Sequence, residues 1–177
     1  DPLSVRSTMG IPRTESFRFH QRLHGHARPT HLHAEATQDV IAYLLDTNIC
    51  IELIRGRSQR VLSQLRNCNV GEVAISSITL AELQYGVARS SDPARNVLAL
   101  AQFCVSLERP PFDASAAEVY GGVRVALERI GKPIGPLDIL IAAHALALDV
   151  TLVSNNEREF RRVRGLRLVN WMKPASP

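Results

Sequence analysis

The chain has 177 residues, 45% hydrophobic and 21% charged, with a formal net charge of +4; its mean hydropathy is −0.03 and its pI about 9.3. That length suits one domain plus a tail, with enough apolar residues for a core that needs no metal or disulfide staple. No run approaches the roughly 18 apolar residues of a membrane span, the start shows no signal-peptide pattern, and the three cysteines read as reduced thiols of a cytoplasmic protein.

Residues 1–39 hold five of the six histidines and five arginines. They lack both helical and strand periodicity and are expected to form a disordered or loosely ordered extension. His24, His26, His31 and His33 are a candidate transition-metal set, against the plainer reading of a tail left by an upstream start. The globular domain is expected over 40–173, with a short tail at 174–177. From Ile41 the chain turns apolar and predicts a strand over 41–45. A helix follows over 47–55, ended by Gly56, and another over 58–67. The β-branched run VAIS predicts a buried strand over 73–76. TLAELQYGVAR has helical spacing over 79–89, with Leu80, Leu83 and Val87 on one face. Asp92 and Pro93 open a helix to about 106 as N-cap and first helical residue. The PPF run suggests a short edge strand at 110–112. Asp113 caps a long helix to about 130. Gly135 and Pro136 open the next, to about 148, whose ILIAAHALAL is apolar nearly all round and so is buried. A strand at 151–154, a short helix from 157 and a last strand within LRLVNW complete the series. Strands alternating with helices predict an α/β sandwich around a mostly parallel sheet.

Four acids fall at predicted strand tips or at the starts of the helices that follow. Asp46 ends the first strand, Glu82 follows the second, Asp138 lies behind Pro136, and Glu159 lies past the TLVS strand. Ligands of open parallel sheets collect at the carboxyl ends of the strands. Several carboxylates there repel one another unless a cation neutralises them, and hard divalent ions favour oxygen ligands. The same spacing supports a purely structural account. Thr79 and Glu82 have the spacing of a capping box, Asn156 and Glu159 a variant of it, and Asp138 falls at N3 if Gly135 is the cap; acids there satisfy helix-start N–H groups. Asp46, lying before its helix, is the acid that capping explains least. Spacing does not choose between the two accounts.

The segments LLDTNICIELIRG, ISSITLAELQYGVARS, IGPLDILIAAHAL and LVSNNEREFRRVRGLRLVNW together resemble the PIN domain, and most closely the VapC toxins of bacterial type II toxin–antitoxin systems. The likeness spans about residues 42–172; the extension 1–39 is outside the family pattern. It implies a three-layer α/β/α sandwich with an approximately five-stranded sheet and a metal-dependent endoribonuclease. Asp46, Glu82 and Asp138 match the three main acids and Glu159 the more variable fourth, as catalytic residues and ligands of Mg²⁺ or Mn²⁺. Thr47, Asn48, Ser154 and Asn156 stand where residues that orient the ligands are expected. The resemblance also implies an RNA substrate, a homodimer and an inhibitory VapB antitoxin.

Phosphodiester cleavage needs an activated water and neutralised charge, which one or two divalent ions supply. No general-base histidine is required, and His144 is expected to be a satisfied core residue. Arg55, Arg57, Arg158 and Arg161 are candidates for holding RNA phosphates beside an acidic cleft, each with solvated surface as its plainer reading. Two rivals remain. One is a catalytically weak PIN-like module acting mainly through antitoxin and nucleic-acid binding. The other is a haloacid-dehalogenase-like phosphohydrolase, which wants an aspartate where Asn48 stands.

Overall fold

The computed structural model describes residues 41–174, and the expected extension 1–39 lies outside them. Four short strands alternate with helices: β1 Tyr43–Leu45, β2 Val73–Ile75, β3 Thr151–Val153 and β4 Leu168–Val169. They pair in the order β2-β1-β3-β4, every pair parallel. A fifth chain segment reaches the outer edge of β2 through a single parallel bridge between Ala74 and Glu108. The edge strand expected at 110–112 therefore does not form; contact is made before the prolines. Pro110 and Pro111 have no N–H to extend the ladder. Four strands plus this bridge are what the expected five amount to.

Alternation along the strands sets the layers. Leu45, Val73, Ile75 and Val153 point to one side and share a core with Ile49, Leu53, Val61, Leu83 and Leu100. These come from α1 Thr47–Arg55, α2 Gln59–Arg66, α3 Ser77–Ala88 and α4 Pro93–Cys104. Leu44, Ala74 and Leu152 point the other way, onto Leu127, Ile139, Ile141, Ala142 and Phe160. Those residues belong to α5 Ala114–Arg129, α6 Pro136–Ala147 and α7 Glu157–Phe160. Because both faces are covered, the strands are apolar except for Thr151 at the start of β3, and the three-layer α/β/α sandwich follows. The α6 helix is buried on most sides, down to the ring of His144.

Helix limits follow local chemistry. Gly56 closes α1 in the left-handed region at φ 60°, its N–H returning to Glu52 and Leu53, a conformation that costs glycine little. Asp92 and Asp113 cap α4 and α5 as their positions imply. The third helix starts two residues earlier than expected, because Ser76, the residue after β2, is its N-cap and accepts from the Ile78 N–H. No helix among the described residues is long and apolar enough to cross a membrane. All three cysteines are free; Cys50 and Cys104 are buried and Cys68 is half-buried.

Candidate active site

The register brings one polar residue to the carboxyl end of each strand. Ser76, Asp46, Ser154 and Asn170 immediately follow β2, β1, β3 and β4, in the spatial order of the sheet. Sequence reasoning found Asp46 and Ser154 and missed Ser76 and Asn170. The missed signal was the first polar residue after each apolar strand.

Asp46 is 3% exposed and its carboxylate is fully engaged. Oδ1 accepts from the Thr47 N–H at 2.7 Å. Oδ2 accepts from Asn48 Nδ2 at 2.5 Å and from Ser154 Oγ at 2.6 Å. Asp46 is thus the N-cap of α1, which corrects the expectation that capping explains it poorly. A helix cap leaves Oδ2 unaccounted for, and Oδ2 is the atom that Asn48 and Ser154 hold. Burial pushes this carboxyl above its ordinary range, and the Ser154, Thr47 and Asn48 hydrogen bonds oppose that rise. The supports are tied in turn: the Asn155 N–H donates to Asn48 Oδ1, and the Asn156 N–H to Ser154 Oγ. Asn156 contributes through its backbone; its side chain makes no capping bond to α7.

Glu82 changes its meaning in three dimensions. With Ser76 as cap, Thr79 is the third residue of α3 and Glu82 the sixth, so the expected capping box does not exist. Thr79 is buried and donates to the Leu45 carbonyl. Glu82 instead accepts from Thr47 Oγ1 at 2.5 Å, joining α3 to the first turn of α1. Its structural explanation as a cap is removed.

Asp138 is at N3 of α6, behind the Gly135 cap, as expected. A Cβ at Gly135 would meet Asp138 Oδ2 at 3.0 Å, so the missing side chain is what lets the carboxyl fold back over the helix start. Asp138 is raised to about 7, first by burial, then by the charge of Asp46, by a hydrogen bond and charge from Glu159, and by Glu82. Asp46, Glu159 and Glu82 therefore all lie near enough to Asp138 to act on its carboxyl. Arg162, just past α7, donates to the Pro133 carbonyl at 2.9 Å and braces the Glu159 segment against the loop leading into Asp138.

Among the described residues, the ion pairs of Arg124, Arg161, Arg167 and Lys173 go to Glu128, Glu157 and Asp149, and none of these reaches the four acids. Nor do any three His, Cys, Asp or Glu side chains among them stand as a ready-made metal cage. The negative charges of Asp46, Glu159 and Glu82 each favour the protonated form of Asp138. An all-oxygen donor set without a protein counter-charge fits a hard divalent ion.

His144 is buried in the core, as expected, but it is only partly satisfied, since its Nε2 meets no hydrogen-bond partner among the described residues. Its Nδ1 lies 2.9 Å from Ser76 Oγ, its ring meets Phe112 edge-on at 5.5 Å, and burial lowers its affinity for a proton. Arg55 ends α1, about 13 Å along the axis from Asp46, Arg57 follows its Gly56 cap, and Arg161 is paired with Glu157. Arg158 is exposed on α7 beside Glu159.

A parallel α/β/α sandwich with acids gathered at the carboxyl edge of its sheet defines a PIN-type fold, and the PIN-domain family model matches residues 43–166. The tRNA(fMet)-specific endonuclease VapC of Shigella flexneri is 42% identical over 132 residues, covering 75% of this chain and 99% of that protein. Ribonuclease VapC2 of Haemophilus influenzae is 43% identical over 133 residues, covering 75% of this chain and all of that one. Among solved structures, the promoter-DNA-bound VapBC2 complex of Rickettsia felis aligns with TM-score 0.69 at 42% identity, over 74% of this chain and 99% of that one. The DNA-bound VapBC complex of Salmonella typhimurium aligns with TM-score 0.71 at 40% identity, over 74% and 98%. The chain belongs to the PIN-domain family and, within it, to the VapC group.

Proposed function

We propose that this chain is a metal-dependent endoribonuclease, the toxin of a type II toxin–antitoxin pair. The observation that carries the reading is Asp138, whose carboxyl is raised to about 7 by burial and then by the charges of Asp46, Glu159 and Glu82, so that four acids act on one another. The relatives support the substrate class, being named ribonuclease or tRNA endonuclease. These four residues would hold Mg²⁺ or Mn²⁺. The bound ion supplies charge neutralisation at the phosphate and a water of lowered pKa.

The chain's own residues do the positioning. Asp46 offers an oxygen whose direction is fixed by Ser154, Asn48 and the Thr47 N–H. Glu82, oriented by Thr47, would hold the attacking water and take its proton. Asp138, its carboxyl raised by burial and by its acidic neighbours, and Glu159 would complete the site. Arg158 is the nearest exposed cation in sequence to this edge and would meet RNA phosphate, adding salt-dependent affinity.

The partner is an antitoxin of the VapB kind, as in the VapBC complexes that share this fold. The working form is a homodimer in the cytoplasm. The test is cleavage of structured RNA by purified full-length protein with Mg²⁺ or Mn²⁺, beside the Asp46→Asn variant. Metal-dependent cleavage by the parent alone supports the reading; equal cleavage by the variant ends it.

A further inference from the structure

Glu159 is carried by the least self-sufficient element of the site. The α7 helix has four residues and no side-chain cap bond, and a single turn is unfavourable without outside contacts. Phe160, wholly buried, anchors one side. The other side is anchored by Glu157, which no motif singled out. Its side chain is only 14% exposed. Oε1 accepts from Asn170 Nδ2 and from Lys173 Nζ, both at 2.7 Å, and Oε2 from Arg161 Nη2 at 2.6 Å. Arg161 is one turn away on the same segment. Asn170 and Lys173 belong to the strap that follows β4, and they tie α7 to the sheet.

The strap is itself fixed. Asn170 Oδ1 accepts from the Met172 N–H at 2.9 Å. Trp171 is 5% exposed and meets the ring of Tyr43, the first residue of β1, edge-on at 5.4 Å. Residues two apart on a helix point about 200° apart. Glu157 therefore faces the strap while Glu159 faces Asp138 on the opposite side, and the strap sets where α7 presents its second glutamate.

We propose that Glu157 is a positioning residue, which fixes Glu159 for divalent-metal binding by clamping α7 to the C-terminal strap. This rests on the reading of Glu159 as a metal ligand, and the test separates the two. Lys173 and Arg161 are 66% and 73% exposed, so a purely structural role predicts only a small loss of stability. A positioning role predicts a loss of metal affinity that depends on Glu159. Mn²⁺ affinity is measured by calorimetry on the full chain for the parent, Glu157→Gln, Glu159→Gln and the double variant. Either single change is expected to weaken binding about tenfold, the range for residues that orient ligands. The double variant is expected to bind no more weakly than Glu159→Gln alone, because the two act on one contact. Unchanged affinity in Glu157→Gln, or losses that multiply in the double variant, would overturn the proposal. Unchanged affinity in Glu159→Gln would overturn the ligand assignment and the proposal with it. Should Glu157→Gln not fold, Lys173→Ala removes one exposed donor and is expected to show a smaller loss, again absent from the Glu159→Gln background.

Discussion

The two halves of the acid cluster are built differently. Around Asp46 every acceptor has a donor: one backbone N–H, one amide and one hydroxyl, with the supports themselves hydrogen-bonded. Asp138 is instead raised to about 7, first by burial and then by the charges of Asp46, Glu159 and Glu82. Both halves lie at the ends of buried elements, so burial alone does not separate them. The difference is that hydrogen bonds organise one half, whereas the other, on the proposed function, would be organised by the bound ion.

The largest effect expected from this contrast is at its fixed half. Asp46→Asn removes the oriented charge, and cleavage should fall more than about a hundredfold, beyond the loss typical of residues that merely orient a ligand. Circular dichroism should show the fold intact; an active Asp46→Asn enzyme would dissolve the distinction. Ser154→Ala comes next. It removes a buried donor to Asp46 and leaves the Asn156 N–H unpaired, which should cost about 1–3 kcal/mol in chemical denaturation and about tenfold or more in activity.

The unfinished half should show itself through pH. Asp138 has a folded value of about 7 against an ordinary 3.8, so the folded state binds the proton more tightly than the unfolded state does. Its stabilising contribution is complete below about pH 4 and is lost as pH rises through about 7. Melting temperature in chelator should therefore fall from pH 5 to pH 8, and Mn²⁺ affinity should rise over the same range because binding displaces the proton. Asp138→Asn should flatten both curves. A melting curve in chelator independent of pH in the parent would show that the acids do not interact as described.

Gly135→Ala is the mildest probe. Its backbone, at φ −54° and ψ 141°, accepts alanine without strain, and the new methyl would meet only the movable end of Asp138. Stability should change little, while Mn²⁺ affinity drops several-fold, up to about tenfold. A large loss of melting temperature would mean that the glycine serves the fold and not the carboxylate.

Much of this protein was legible in the sequence. Apolar runs and caps located α1, α4, α5 and α6 to within a residue or two, because Asp92, Asp113, Gly56 and Pro136 act on the backbone nearest to them. The acids were legible as a set only through resemblance, since spacing left capping and ligation equally open. Position along the chain does not reveal what a side chain faces. Glu82 looked like a cap until Ser76 took that role, and Asp46 proved to be both cap and anchor. The edge strand expected at 110–112 gave way to one bridge at Glu108, because partner and register are set across the sheet.

Local chemistry, then, determined where the helices and strands lie and that the sheet is parallel and buried on both faces. Only the tertiary structure decided that Thr47 meets Glu82, that Ser154 holds Asp46 from 108 residues away, and that Glu157 is tied to Asn170 and Lys173 of the segment after β4. These contacts join strand ends that are adjacent in the sheet and remote in the chain. Their geometry depends on the strand order β2-β1-β3-β4, which no local pattern encodes.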